Sequence, residues 1–125
     1  MKNAKNILVS LFEWAVDLRA MERYTALFQT KAGSKKFLDD LQRLNRHFKT
    51  DAVFKDIDEL LMGRKCMVFR EGYQFGQEFD SMSEALSELE ILDAWLIVSI
   101  DSKVAIYRPE SYFDSTIMIK HKSLS

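Results

Sequence analysis

The fold is decided by residues 95–107, which read WLIVSIDSKVAIY. The first six residues of this stretch are nearly all apolar, which is typical of a central strand that is covered on both faces. Asp101 and Ser102 are turn-forming residues, and residues 103–107 form the returning strand. The stretch therefore predicts a pair of neighbouring strands in the middle of a sheet.

Further strands and one helix are predicted on both sides of this pair. Residues 66–69 and 73–79 form a hairpin around Gly72. Ser81 and Glu84 have the spacing of a capping box, which predicts a helix that continues to about residue 92. Pro109 ends the central pair because proline cannot donate to a sheet, and residues 116–120 form a last edge strand.

The N-terminal half has the periodicity of amphipathic helices. Apolar residues recur at steps of three and four from Ile7 to Met21, and they predict a first helix that extends to about residue 29. Gly33 supplies a stop, and Ser34 supplies the N-cap of a second helix whose apolar stripe continues to Phe48. A third helix is predicted over residues 50–63.

These elements predict an α+β fold in one domain of residues 1–125. A helical N-terminal half of two to three helices packs on a small, mainly antiparallel sheet with one further helix, in the order ααα-ββ-α-ββ(β). The length of 125 residues fits a single core, and no repeat or linker divides the chain.

The composition predicts a cytoplasmic protein. The apolar runs are far shorter than the roughly 18 residues that cross a bilayer, so we expect no membrane span. Glu13 and Asp17 interrupt the apolar stretch that a secretory signal requires. Cys66 is the single cysteine, which excludes an internal disulfide and fits a reducing compartment.

The residue types needed for catalysis are scarce. His47 is expected on a charged outer helix face, His121 in a frayed tail, and Cys66 in the core. No metal-ligand spacing and no glycine-rich phosphate loop is present. We therefore expect no catalytic residue, metal or cofactor. An enzyme that uses carboxylates in an apolar cleft stays open, because raised carboxyl pKa values cannot be read from a sequence.

The strongest charge signal is an acidic stretch. Between Arg70 and Lys103 there is no basic residue but there are eight acidic ones: Glu71, Glu78, Asp80, Glu84, Glu88, Glu90, Asp93 and Asp101. If these side chains share a surface, their negative potential attracts a basic protein. The alternative is that lysines and arginines from the N-terminal half fold back beside them and neutralise the charge.

In its size, its helices leading into a small sheet, its acidic stretch and its lack of enzyme motifs, the chain resembles bacterial immunity proteins against toxins, including contact-dependent inhibition systems. The resemblance implies stoichiometric binding of a basic, nuclease-like toxin domain, with carboxylates imitating phosphates. The partner-binding residues would be Glu78, Asp80, Glu84, Glu88, Glu90 and Asp93, with Tyr73 or Phe75 as an aromatic anchor.

The alternative is a small regulatory or adaptor domain that binds nucleic acid through the basic second helix. Basic residues cluster in and around that helix: Lys31, Lys35, Lys36, Arg43, Arg46, Lys49 and Lys55. Aspartates at 39, 40, 51, 56 and 58 dilute this charge, so nucleic acid is the less favoured partner.

Overall fold

A computed structural model describes residues 4–54, 57–70, 76–89, 95–108 and 116–124. The helices are α1 (Ala4–Ala15), α2 (Leu18–Leu27), α3 (Lys31–Asp39) and α4 (Met82–Glu88). The strands are β1 (Val53–Phe54), β2 (Cys66–Arg70), β3 (Gln77–Phe79), β4 (Trp95–Ser99), β5 (Val104–Arg108) and β6 (Ile117–Lys120). Short 3₁₀ helices cover Leu41–His47, Thr50–Ala52, Glu59–Leu61 and Lys122–Leu124.

The strands form one six-stranded antiparallel sheet in the order β1-β6-β5-β4-β2-β3. The predicted central pair is confirmed: β4 and β5 lie in the middle, and every residue of both strands is buried. In this register Ile97 lies between Val68 of β2 and Ile106 of β5. A sheet with buried strands of this kind needs cover on both faces.

Two separate apolar clusters supply that cover. On one face Leu96 and Val98 pack with the buried residues of the N-terminal helices. On the other face Ile97 and Ile106 pack with Met82 of α4. The order of helices and strands predicted from the sequence, with an N-terminal helical layer and one further helix, is confirmed.

The predicted first helix is broken into α1 and α2. Asp17 has an extended backbone and caps α2, because its side chain accepts a hydrogen bond from the Ala20 amide at 2.8 Å. Val16 forms an isolated bridge with Phe48, and the Lys49 amide donates to the Ala15 carbonyl at 2.8 Å. The break therefore depends on a distant segment that the helical periodicity does not reveal.

The start of α3 also differs from the prediction. Thr30, not Ser34, is the N-cap, and its hydroxyl accepts a hydrogen bond from the Gly33 amide at 2.9 Å. Gly33 lies inside the helix, where a Cβ atom would fall 1.9 Å from the Leu27 carbonyl oxygen. The glycine therefore permits close packing of α3 on the end of α2, rather than stopping a helix.

The third helix predicted over residues 50–63 is wrong. Its place is taken by β1, which pairs Val53 with Ile119, and by two short 3₁₀ turns. Because β1 pairs with β6, the strand at residues 117–120 is not the edge of the sheet. Helix α4 ends at Glu88, earlier than the predicted residue 92.

The turn between β4 and β5 fastens the sheet to α1. Ser102 has a φ of 62°, a left-handed conformation that a serine adopts at some cost. Its hydroxyl donates to the Ile7 carbonyl at 2.8 Å, and its own carbonyl accepts from the Trp14 indole at 2.8 Å. The serine is thus retained by the hydrogen bond of its hydroxyl to Ile7, which a glycine would not make.

None of the helices in the described ranges combines the length and apolar character that a transmembrane helix requires.

The two tyrosines among the described residues are both buried and provide a paired test of this core. The Tyr107 hydroxyl donates to the Leu41 carbonyl, whereas the buried Tyr24 hydroxyl has no hydrogen-bond partner among the described residues. We expect Tyr107→Phe to lower the free energy of unfolding by about 0.5–1.5 kcal/mol, because it removes a buried hydrogen bond. Tyr24→Phe should leave it unchanged or raise it. Urea unfolding measures both, and equal losses would contradict the assignment.

Candidate protein-binding surface

Helix α4 begins at a side-chain cap and is fixed to the sheet by its buried face. The Ser81 hydroxyl accepts a hydrogen bond from the Glu84 amide at 3.0 Å, as the capping-box spacing predicts. Met82 and Ala85 are buried in the cluster that covers the second face of the sheet. The Ser83 amide donates to the Met62 carbonyl at 3.0 Å, which ties the first turn of α4 to the loop before β2.

Two carboxylates project from the outer face of this helix. Glu84 and Glu88 are both exposed, and residues four apart in a helix are neighbours on one side. The inward positions belong to Met82 and Ala85, so the two glutamates necessarily point toward solvent. The expected acidic helix face is therefore present.

Two more acidic residues precede α4, one in β3 and one directly after it. Glu78 is exposed and lies opposite Met67 of β2, whose side chain belongs to the cluster on the helical face. Phe79 points the other way, into the cluster beneath α4. Asp80 is also exposed and follows directly. Because successive side chains alternate across a strand, Glu78 projects from the face opposite to Phe79, so β3 carries its carboxylate on one face of the sheet and α4 carries Glu84 and Glu88 on the other.

We call Glu78, Asp80, Glu84 and Glu88 the acidic surface. No ion pair joins any of these four to a cation in the part of the chain that the structure describes. A fifth member of the acidic stretch, Asp101, is different. It accepts from the Arg64 guanidinium at 2.9 Å and from the Ser99 hydroxyl at 2.6 Å.

Neutralisation by the N-terminal half therefore occurs at Asp101 and at none of the four members of the acidic surface, as far as the described residues show. The sequence does not reveal the pairing of Arg64 with Asp101, because the two are 37 positions apart and meet through the pairing of β2 with β4. The predicted contact residues Tyr73, Phe75, Glu90 and Asp93, together with Glu71, lie outside the described residues.

Cys66 lies beneath the acidic surface as a buried core residue. Its thiol donates to the Ser81 carbonyl at 3.6 Å. Burial, followed by the negative charges of Glu84 and Glu78, raises the pKa of Cys66 from 9.0 to about 12. Both glutamates therefore lie close enough to act on one thiol, and that thiol stays protonated at neutral pH.

The two histidines are packed against aromatic rings. His47 is half-buried, with its ring edge-on to Tyr24 at a centroid distance of 5.9 Å, so it does not lie on a freely exposed face. His121 contacts Trp14 at 5.3 Å, and its amide donates to the Lys103 carbonyl at 2.8 Å. The expectation of a frayed tail at His121 is wrong, because this segment is fixed to β5 and α1.

The basic helix of the alternative hypothesis is α3. Lys31, Lys35 and Lys36 are exposed along it. Two neighbouring arginines, Arg23 and Arg43, both pair with Asp40. A cleft of about 340 Å³ lies here, with a lining of mixed charge: Arg23, Leu27, Lys36, Asp39, Asp40 and Arg43. This side of the molecule carries less net positive charge than its lysines and arginines suggest.

In the described ranges no three His, Cys, Asp or Glu side chains come together as a metal site would require. Comparison of the chain with protein-family models, with curated proteins and with solved structures found no match. The function is therefore inferred from the chain's own geometry and charge.

The buried Cys66 thiol provides a test of this region. A rise in pKa from 9.0 to about 12 reduces the thiolate fraction at neutral pH about a thousandfold. We expect the folded protein to react with iodoacetamide at least that much more slowly than the urea-unfolded chain, as followed by mass spectrometry. Rapid alkylation of the folded protein would show that Cys66 is a reactive thiol.

The paired Asp101 predicts a pH dependence of stability. Partial burial raises the pKa of Asp101, but hydrogen bonds from Ser99 and Lys103 and the charges of Arg64 and Lys103 outweigh burial and lower it below 3.8. Its contribution is therefore present above pH 3.8 and is lost as the pH falls through the lowered value. Asp101→Asn should be less stable than wild type at pH 7, and the two urea midpoints should converge as the pH falls below 3.8. A difference in urea midpoint that stays constant with pH would contradict a stabilising role of the ionised Asp101.

Proposed function

We propose that this protein is an immunity protein, a stoichiometric inhibitor that neutralises a basic, nuclease-like toxin domain by binding it through the acidic surface. We propose further that it acts in the cytoplasm and has no catalytic activity of its own. The observation that supports the proposal is the cluster of exposed carboxylates at 78, 80, 84 and 88 that have no ion-pair partner among the described residues.

An unpaired cluster of this kind suits a basic partner. A negative surface accelerates encounter with a positive one and disfavours partners of like charge. A nuclease presents lysines and arginines where its substrate's phosphates bind. Carboxylates on α4 and β3 can accept charge-assisted hydrogen bonds from the same groups, which would block access of nucleic acid to the enzyme.

The position of Glu78 and Asp80 at the edge strand β3 is consistent with partner binding. It also has a simpler explanation, which is protection of the sheet edge. An edge strand exposes unpaired backbone groups, and charged side chains discourage its pairing with other strands. Glu78 and Asp80 serve that purpose without any partner. Glu84 and Glu88, which lie on α4 and not on the edge, are the residues that separate the two explanations.

The second candidate is a regulatory domain that binds nucleic acid through α3. It is supported by the exposed lysines at positions 31, 35 and 36, for which no ion pair is found within the described residues. It is weakened by Asp40, which neutralises Arg23 and Arg43 beside them. Binding of this kind would fall steeply with salt concentration.

The decisive experiment compares two variants with the same change in net charge. Glu84→Lys combined with Glu88→Lys reverses the acidic helix face, whereas Glu13→Lys combined with Glu22→Lys changes exposed residues of α1 and α2. Tagged wild type and both variants are used to capture partners from the host lysate at low and moderate salt. We expect wild type and the Glu13/Glu22 variant to retain one basic protein in equimolar amount.

The Glu84/Glu88 variant should bind that protein on the order of tenfold more weakly at low salt, mainly through slower association. Expression of the captured protein alone should arrest cell growth, and coexpression with this chain should relieve the arrest. Equal binding by both variants would remove α4 from the interface. Capture of nucleic acid, lost on Lys35→Glu with Lys36→Glu, would instead support the second candidate.

A further inference from the structure

A row of three side chains crosses the sheet at the end of β2 that lies away from Cys66. Arg70 of β2 pairs with Trp95 of β4, and Trp95 pairs with Arg108 of β5. Residues directly opposite each other on neighbouring strands project from the same face. Trp95 packs in the cluster beneath α4 with Ile97 and Ile106, so both arginines project from that face too.

Arg108 is an unusual member of this row. It is only 8% exposed, and its Nη2 atom is fully buried without a hydrogen-bond partner. No ion pair and no hydrogen bond connects its guanidinium to another residue within the described parts of the chain. Arginine is almost never buried without a partner, because removal of its charge from water is costly.

Trp95 also has a buried hydrogen-bond donor without a partner. It is 2% exposed, and its indole Nε1 is buried without an acceptor among the described residues. A buried indole N–H normally finds a hydrogen-bond partner. Two neighbouring residues therefore bring unsatisfied donors to one place, although either could have been replaced by an apolar side chain at less cost.

The polar groups of Arg108 and Trp95 are hydrogen-bond donors. The guanidinium and the indole offer N–H groups and no acceptor. Arg70 adds a second positive charge while its guanidinium donates to the Gln77 side chain at 3.1 Å. The complement to such a set is a group with acceptors alone and a negative charge. The planar guanidinium fork fits a carboxylate or a phosphate, which it can hold with two parallel hydrogen bonds.

We propose that Arg108 and Trp95 form a binding site for a small molecule that carries an oxyanion, a carboxylate or a phosphate group. The Arg108 guanidinium binds the anionic oxygens, and the Trp95 indole donates a further hydrogen bond. This site is separate from the acidic surface and does not depend on the proposed function.

The experiment uses Trp95 as its own reporter. The chain has two tryptophans, so Trp14→Phe leaves Trp95 as the single source of indole fluorescence. This protein is titrated with inorganic phosphate and, separately, with benzoate, at an ionic strength held constant with sodium chloride. We expect a saturable change in emission, and a rise in the thermal midpoint of about 4 °C at tenfold excess over Kd.

Arg108→Met tests the assignment in the same background. It removes the charge and retains an apolar side chain of similar length, so we expect a folded protein whose affinity for the responding anion is at least tenfold lower. Arg64→Met is the matched control, because it removes an arginine that pairs with Asp101 at the surface, and it should keep the full response. A response to phosphate alone or to benzoate alone supports the site and identifies its oxyanion.

Trp95→Phe keeps the ring and removes the donor, and its midpoint shift with the responding anion should be smaller than that of wild type. This variant tests the proposal independently if Arg108→Met fails to fold. Absence of any saturable response in the wild-type and Trp14→Phe proteins would overturn the proposal. An equal response from Arg108→Met and Arg64→Met would overturn it as well.

Discussion

The structure depends on the burial of both faces of one strand. β4 has apolar side chains on both sides, and each fully buried side chain of this size contributes about 1.5–3 kcal/mol only if water is removed from it. One face is covered by the N-terminal helices and the other by α4 with the loop around Met62. The helices are positioned by the requirement to supply these two covers.

Much of this arrangement could be predicted from local sequence. The apolar run of β4, the Asp101–Ser102 turn and the Ser81 cap act within a few residues, and they are found where the sequence places them. The errors occur where distant residues decide. The helix breaks at Val16 because that residue pairs with Phe48, and the helix predicted over residues 50–63 gives way to a short strand because Val53 pairs with Ile119.

The same distinction applies to the sites. The charge of the acidic stretch is visible in the sequence, and the helical spacing of Glu84 and Glu88 correctly predicts a shared face. The sequence does not reveal that Arg64 neutralises Asp101 while the four residues of the acidic surface have no such partner in the described ranges. Nor does it reveal the row of Arg70, Trp95 and Arg108, which exists only through the register of three strands.

The hydrogen bond from Ser102 to the Ile7 carbonyl joins residues 95 positions apart, and it has a consequence for synthesis on the ribosome. Residues of α1 emerge first, but β4, the strand that they cover, is made roughly 80 residues later, which takes about 4–16 s at 5–20 residues per second. During this interval the apolar faces of the first three helices have no sheet to pack against. We therefore expect the N-terminal half to complete its fold only after β4 and β5 have emerged.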